Sequence, residues 1–212
     1  MRRCGLIALL AAATAISACS KPDTPPPAAT TPAPAAPAAA ASASNAGRIV
    51  GKMQPGSTAV VVLEAKGARA FPPQGEKPVM DQASLTFSPE LLFVRTGQPA
   101  EFRNSDDTLH NVNVKHEETR EQAFNVAIPT GGNYIHTFGR DGFYRVGCDI
   151  HPAMTASIFA ATTPFTTLAA SDGSFAFDDV PPGPWTVTVY TGGKRLHKDV
   201  EIKGGVTEIT IE

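Results

Sequence analysis

The chain has 212 residues, a formal net charge of −2 and 42% hydrophobic residues. A charge balance this close to zero excludes the large basic surface of nucleic-acid-binding domains, so no nucleic-acid partner is expected. About 165 residues remain after the terminal segments described next, which is enough for one large domain or two small ones.

Residues 1–18 have the pattern of a secretory signal. Two arginines precede a run of small apolar residues, and the run is shorter than the roughly twenty residues that a membrane-spanning helix needs. The Ile-Ser-Ala-Cys sequence that ends at Cys19 resembles a bacterial lipobox, which implies that Cys19 is lipidated. A buried helix is the alternative, and the abrupt change to polar residues after Cys19 argues against it.

Residues 19–46 are predicted to form a disordered tether behind the lipidated cysteine. They consist almost entirely of Pro, Ala, Thr and Ser, and such a composition cannot bury enough apolar area to offset the entropy of ordering. At about 3.1 Å per residue in the polyproline conformation, the tether would reach several tens of Å. We therefore expect a lipid-anchored protein of the bacterial cell envelope that faces the periplasm, with Ser20 favouring the outer over the inner membrane.

The folded part is predicted to be all-β. Short runs rich in β-branched and aromatic residues are bounded by Gly, Pro, Asn and Asp, which is typical of β-sandwiches. Such runs occur at residues 59–63, 92–94, 112–114 and 174–177. Long stretches with helical periodicity are missing from the sequence.

One loop and one upstream histidine offer an unusual set of metal donors. Cys148, His151 and Met154 are separated by two residues at each step, so one tight loop can direct all three donors to a single point. His110 is the expected fourth donor, from the end of a separate strand. Two imidazoles, a thiolate and a weak axial thioether are the ligands of electron-transfer copper sites, whereas zinc is poorly served by a thioether. Any one of these residues alone would be an ordinary core or surface residue; together they predict one type 1 copper site.

Cys148 is expected to be the only free thiol of the mature chain. Cys4 leaves with the signal and Cys19 carries the lipid, so no internal disulfide can form. A lone thiol in an oxidising compartment is a liability unless something occupies it, and a copper–thiolate bond would do so. The copper interpretation requires the His110 imidazole to lie within about 6 Å of the Cys148 sulfur.

With these residues, the stretch from about Val79 to Ala160 resembles the cupredoxins, the small blue copper proteins of the plastocyanin, pseudoazurin and amicyanin type. The resemblance implies a Greek-key β-sandwich at residues 74–162 that binds one copper ion. By the same resemblance the ligands are His110, Cys148, His151 and Met154. It also implies that Asn111 ties the two ligand segments together, and such contacts orient ligands and tune the metal.

The resemblance further implies a route for electrons. His151 would reach the surface through an apolar patch, for which Ile150, Pro152 and Ala153 are available. The partner would be a redox protein in transient contact, such as a cytochrome c or a periplasmic oxidoreductase. Three nearby aspartates could form an acidic rim that steers a basic partner, or simply a solvated loop tip; they are Asp106, Asp107 and Asp149.

A second β-sandwich is predicted around the first. The stretch from Ser171 to Val189 reads as a hairpin pattern with an Asp172-Gly173 turn. Its Asp-Gly-x-Phe and Pro-Pro-Gly sequences resemble the carboxypeptidase regulatory-like domain, a small non-catalytic Ig-like sandwich. Residues 47–67 resemble the opening strands of that domain, so we expect it to comprise 47–67 and 164–212, with the copper domain inserted; two consecutive domains are the simpler alternative. Trp185 is expected in its core.

The remaining sequence offers no catalytic constellation, so we predict that the protein is not an enzyme. His116 begins a zinc-peptidase-like motif that has Arg120 where the second histidine must stand. His136 and His197 read as outward-facing, solvated residues, and no His-x-His pair exists for a multicopper oxidase. The leading interpretation is a membrane-tethered electron carrier. The alternatives are a copper-sequestering or copper-delivering lipoprotein that uses the same ligands, and an interaction module without metal.

Overall fold

The computed structural model describes residues 45–56 and 58–212. The predicted signal peptide 1–18, the lipidation site Cys19 and nearly all of the tether 19–46 lie outside the described residues. The described part is built from sixteen β-strands, which confirms the all-β class. Among these residues we find no helix of the length and apolar character needed to cross a membrane.

The strands form four sheets. In chain order the strands are β1 Gly47–Met53, β2 Ala59–Ala65, β3 Val79–Ala83, β4 Thr86–Ser88, β5 Leu91–Arg95, β6 Pro99–Asn104, β7 His110–His116, β8 Gln122–Ile128, β9 Asn133–Thr137, β10 Gly142–Gly147, β11 Thr155–Ala161, β12 Thr166–Leu168, β13 Ser174–Val180, β14 Gly183–Thr191, β15 Lys194–Ile202 and β16 Gly205–Ile211. All four runs that the sequence analysis picked out lie in strands, namely β2, β5, β7 and β13.

Strands β3 to β11 form a sandwich with a single core. One sheet has the order β5-β11-β10-β7-β8 and the other the order β4-β3-β6-β9. Because side chains alternate between the faces of a strand, β6 turns Ala100 and Phe102 inward and Arg103 to solvent. The facing sheet contributes Val146 and Ile158 to the same core.

The strands on either side of this sandwich combine with each other. They form the sheets β13-β1-β16 and β12-β2-β14-β15, so each sheet contains strands from before β3 and from after β11. Trp185 is fully buried between these sheets, and its indole N–H donates to the carbonyl of Pro181. An inserted domain would produce this pairing, although the predicted boundaries at 47–67, 74–162 and 164–212 stay a prediction.

The predicted hairpin between residues 171 and 189 is wrong. Gly173 does occupy a tight turn, with φ +79° and its N–H donating to the carbonyl of Ala170. Strand β13, however, pairs with β1, whereas β14 pairs with β2 and β15. The prolines between β13 and β14 carry the chain from one sheet to the other, and the true hairpin is β14–β15, closed by Gly192 and Gly193.

The two sandwiches pack through their outer faces. Val60 and Val62 of β2 contact Phe159 and Ala161 of β11 in a separate apolar cluster, against which Tyr190 also packs. On the neighbouring strand, Phe143 at the start of β10 contacts the Tyr190 ring. Cys148 follows the other end of β10, five residues or about 17 Å farther along the strand. The junction between the sandwiches therefore leaves the Cys148 end of the β3–β11 sandwich uncovered.

Candidate metal centre

Strand register brings the predicted donors to one end of the β3–β11 sandwich. Strands β7 and β10 are antiparallel neighbours, with Gly147 opposite Asn113. His110 at the start of β7 therefore lies beside the residues that follow β10, and the first of these is Cys148. His151 comes from the loop between β10 and β11, and Met154 directly precedes β11. Distant parts of the chain thus meet because their strands are hydrogen-bonded to each other.

Three of the four donors form a compact triangle. The Cys148 sulfur lies 3.9 Å from Nδ1 of His110 and 3.9 Å from Nδ1 of His151, while the two Nδ1 atoms are 2.9 Å apart. The first distance satisfies the requirement that the sequence analysis set for a copper site. A point in the plane of the three atoms lies about 2.1 Å from each, which matches metal–nitrogen bonds of about 2.0–2.1 Å and falls slightly below metal–sulfur bonds of about 2.3 Å. The donor atoms therefore fit one transition-metal ion.

Met154 is buried beside this triangle. It is 2% exposed and shares the core cluster of Cys148. Its backbone closes the ligand loop, because its N–H donates to the carbonyl of His151 and its carbonyl accepts the N–H of Cys148. A thiolate and two imidazoles, with a buried methionine in the same loop, offer a soft donor set that suits copper better than zinc.

The donors differ in their access to solvent. His110 is fully buried and Cys148 is 4% exposed, whereas His151 is partly exposed. The Cys148 sulfur accepts the backbone N–H of His151 at 3.4 Å and lies 3.4 Å from the side-chain oxygen of Asn111. Of the three triangle residues, His151 is thus the one that reaches the surface.

Asn111 connects the two ligand segments. Its side-chain oxygen accepts the backbone N–H of Asp149 at 2.6 Å, and its amide donates to the Asp149 carboxylate at 3.0 Å. The same carboxylate accepts the amides of Asn113 and Asn125. Amide donors, that of Asn113 first, hold the pKa of Asp149 below its ordinary value because they stabilise the charged form. The loop is therefore fastened to both β7 and β8.

Sequence reasoning missed Asn113, Asn125 and the role of Asp106. Asn111 and Asn113 are two residues apart on β7, a spacing that puts both on one face, and this signal was available. Asn125 is opposite Asn113 on β8, which only the register reveals. Asp106 accepts a hydrogen bond from Nε2 of the buried His110 at 2.8 Å.

The acidic rim is smaller than the sequence suggested. The Asp106 side chain is only 14% exposed and is occupied by His110 and by two backbone N–H groups. Asp149 is exposed, but three asparagine amides bind its carboxylate. Asp107 is exposed. Apolar surface is more evident, since Leu109 and Ile150 are each nearly half exposed beside the donors.

The other three histidines lie outside the triangle. His197 is exposed, as predicted. His116 is 4% exposed, contacts the Tyr144 ring and interacts through its two nitrogens with Thr119 and the carbonyl of Asp141.

The expectation that His136 faces solvent is wrong. Its ring packs on Phe124 and Phe138 at centroid distances of 4.5 and 4.8 Å, while the neighbouring Ile135 is 51% exposed. Burial lowers the pKa of His136. The alternation along β9 was recognised in the sequence, but its inward face was assigned the wrong way round.

The candidate centre lies in the part of the chain that matches a family of copper-binding proteins. Residues 76–159 match the model of copper binding proteins of the plastocyanin/azurin family, which supports a cupredoxin domain in this part of the chain. Copper is the cofactor of that family, and the His110, Cys148 and His151 cluster supplies suitable donors. No curated protein matches the chain significantly.

Solved structures show partial similarity. A purple cupredoxin from Nitrosopumilus maritimus is 21% identical over 40% of this chain and 100% of its own, with a TM-score of 0.36. Amicyanin from Paracoccus versutus is 18% identical over 42% of this chain and 84% of its own, with a TM-score of 0.37. A copper-containing nitrite reductase from Thermus scotoductus is 27% identical over 46% of this chain and 24% of its own, with a TM-score of 0.37.

Proposed function

We propose that the cupredoxin domain carries single electrons through one type 1 copper ion in the periplasm, and that a lipid on Cys19 holds the protein at a membrane. His110, Cys148, His151 and Met154 would hold the ion. The protein would transform no substrate. The observation that carries the proposal is the triangle of one sulfur and two imidazole nitrogens, each within 3.9 Å of the others, at one end of the sandwich.

The chain's own residues support electron transfer by holding the donors still. When bound, copper supplies the one-electron chemistry. His110 is fully buried, and the backbone hydrogen bonds between Cys148 and Met154 close the ligand loop. Asn111 fastens that loop to the strand that bears His110. Donors fixed in this way rearrange little between two oxidation states, because orientation is set by the surrounding hydrogen bonds and packing.

His151 is the proposed point of contact with a redox partner. It is the one triangle residue with appreciable exposure, and several exposed residues near it are apolar, namely Leu109, Ile150, Pro152 and Ala153. Removing water from an apolar surface costs little free energy. A small surface of this kind suits the short-lived association that is typical of redox interfaces. Such a surface, rather than an acidic rim, would bring a cytochrome c or a periplasmic oxidoreductase close to the metal.

The second sandwich suits the role of a spacer. The tether would enter it at β1, and its contact with the copper domain is made through Val60, Val62 and Tyr190, away from the Cys148 end. A lipid anchor at Cys19, whether in the inner or the outer membrane, would then leave the Cys148 end of the copper domain accessible to partners. The support for the anchor is the signal-like segment and the Ile-Ser-Ala-Cys sequence.

Spectroscopy of the copper-loaded protein tests this function. Reconstitution with Cu(II) should give one ion per chain, an intense thiolate charge-transfer band at about 600 nm and a reversible one-electron reduction. A colourless site that binds Cu(I) and passes it to a chelator would favour copper sequestration or delivery through the same ligands. If the chain retains no copper after dialysis, the result would favour the third interpretation, an interaction module without metal.

A further inference from the structure

A carboxylate holds the most buried of the donor side chains. His110 has no exposed surface, and its Nε2 lies 2.8 Å from Oδ2 of Asp106. An ionised carboxylate can only accept hydrogen bonds, so Nε2 carries the imidazole proton in this arrangement. The other ring nitrogen, Nδ1, is then left with a lone pair that faces the Cys148 sulfur.

The loop that carries Asp106 is itself fixed. Asn104 is 1% exposed; its side-chain oxygen accepts the backbone N–H of Asp106 at 3.0 Å, and its amide donates to the carbonyls of Thr108 and Ile128. The backbone N–H of Asp106 also reaches the carbonyl of Gln82. Asp106 is therefore held in position before any metal arrives.

The same carboxylate accepts two backbone hydrogen bonds from an exposed turn between β3 and β4. Oδ1 accepts the N–H of Ser84 at 2.5 Å, and Oδ2 accepts the N–H of Leu85 at 3.0 Å. Both turn residues have positive φ, 54° and 58°, a region that residues with a side chain rarely adopt. These two N–H donors and that of His110 all bind the Asp106 carboxylate, which therefore links the turn to the imidazole.

We propose that Asp106 is a positioning residue that sets the tautomer and orientation of His110 for copper. The inference rests on the proposed function, because it takes His110 as a ligand. The two Nδ1 atoms are 2.9 Å apart, a separation at which they cannot both carry a proton. Asp106 holds the proton of His110 on Nε2, which leaves the Nδ1 lone pair of His110 available to the ion.

The matched variants are Asp106→Asn and Asp107→Asn. Both remove one negative charge from the same loop, but Asp107 is exposed whereas Asp106 contacts His110. An amide has one acceptor oxygen and presents N–H groups in place of the other, so Asp106→Asn cannot accept from the turn and from His110 as the carboxylate does. A pure charge effect would appear equally in both variants.

The first measurement needs no copper. Long-range nitrogen–proton NMR of the metal-free protein should show His110 protonated at Nε2 and bare at Nδ1, in the wild type and in Asp107→Asn. Asp106→Asn should show a mixture of tautomers. If the wild-type protein shows His110 protonated at Nδ1, the proposal is overturned, whatever the copper site does. This measurement does not depend on whether any variant folds.

The second measurement uses copper. Asp106→Asn should weaken Cu(II) binding by about ten- to hundred-fold and raise the reduction potential, because the imidazole becomes a poorer donor, while Asp107→Asn changes affinity less than about threefold. Equal changes in both variants overturn the proposal while the electron-carrier function stands. If the wild type lacks a type 1 spectrum but its tautomer depends on Asp106, the proposed function fails and the positioning role survives.

Discussion

Replacing Asn111 by alanine should loosen the ligand loop and destabilise the copper domain. The side chain is 5% exposed, accepts the Asp149 N–H at 2.6 Å and donates to the Asp149 carboxylate and to Asn125. Its loss strands one backbone N–H, which costs about 1–3 kcal/mol, and removes two further hydrogen bonds worth about 1 kcal/mol together once exposure is considered. We expect a total of roughly 2–4 kcal/mol.

Denaturation of the metal-free protein measures this cost. A loss of roughly 2–4 kcal/mol corresponds to a fall in melting temperature of roughly 8 to 32 °C for a domain of under 100 residues. Asn113→Ala is the control, because the Asn113 amide also donates to the Asp149 carboxylate but the residue is more exposed than Asn111. We expect that variant to lose less than about 1 kcal/mol.

A second readout links the same contact to the metal. If Asn111 orients the loop, the EPR spectrum of copper-loaded Asn111→Ala should broaden or change symmetry, while that of Asn113→Ala should match the wild type. Equal destabilisation by the two variants, or an unchanged melting temperature in Asn111→Ala, would refute the reasoning that the buried hydrogen bonds of Asn111 fasten the loop.

Three further predictions concern the donors and one buried carboxylate. Cys148→Ser should abolish the thiolate charge-transfer band and the reversible reduction, and an intense blue site in that variant would contradict the proposed ligand set. Met154→Leu should retain copper and raise its reduction potential, since a thioether donor is removed; voltammetry showing a lower potential would contradict this. Glu101 has its pKa lowered to about 2, first by Arg103 and then by Lys77. A lowered pKa stabilises the fold fully above the ordinary value near 4.5, and this contribution is lost as the pH falls towards 2. Urea unfolding should therefore show a steeper loss of stability over that range in the wild type than in Glu101→Gln.

The family of the copper domain could be inferred from the sequence because its signal is local. Cys148, His151 and Met154 lie within seven residues, and their donor types alone suggest soft-metal chemistry. The β-class was equally accessible, since short β-branched runs bounded by turn residues report on the backbone of their own segment. The burial of Trp185 also followed from its place in an apolar strand.

Features that depend on which strands pair could not be predicted from the sequence. The hairpin at residues 171–189 fails because β13 and β14 belong to different sheets, although the turn at Gly173 is correct. His136 was assigned to the wrong face because alternation gives a period but not a direction. On β9 the aromatic side of the strand closes against Phe124, and Ile135 is left outside.

The amino-acid sequence by itself determined the chemistry available to this protein: a thiolate, imidazoles and a thioether at a spacing that one loop can deliver. Only the tertiary structure decided how the donors are held. The antiparallel register of β7 and β10 brings His110 to Cys148. The short loop between β6 and β7, held by Asn104 and Gln82, turns Asp106 towards the far nitrogen of that imidazole. Spacing along a chain constrains neighbours within a loop, whereas contacts between residues far apart are set by strand pairing and burial of the whole domain.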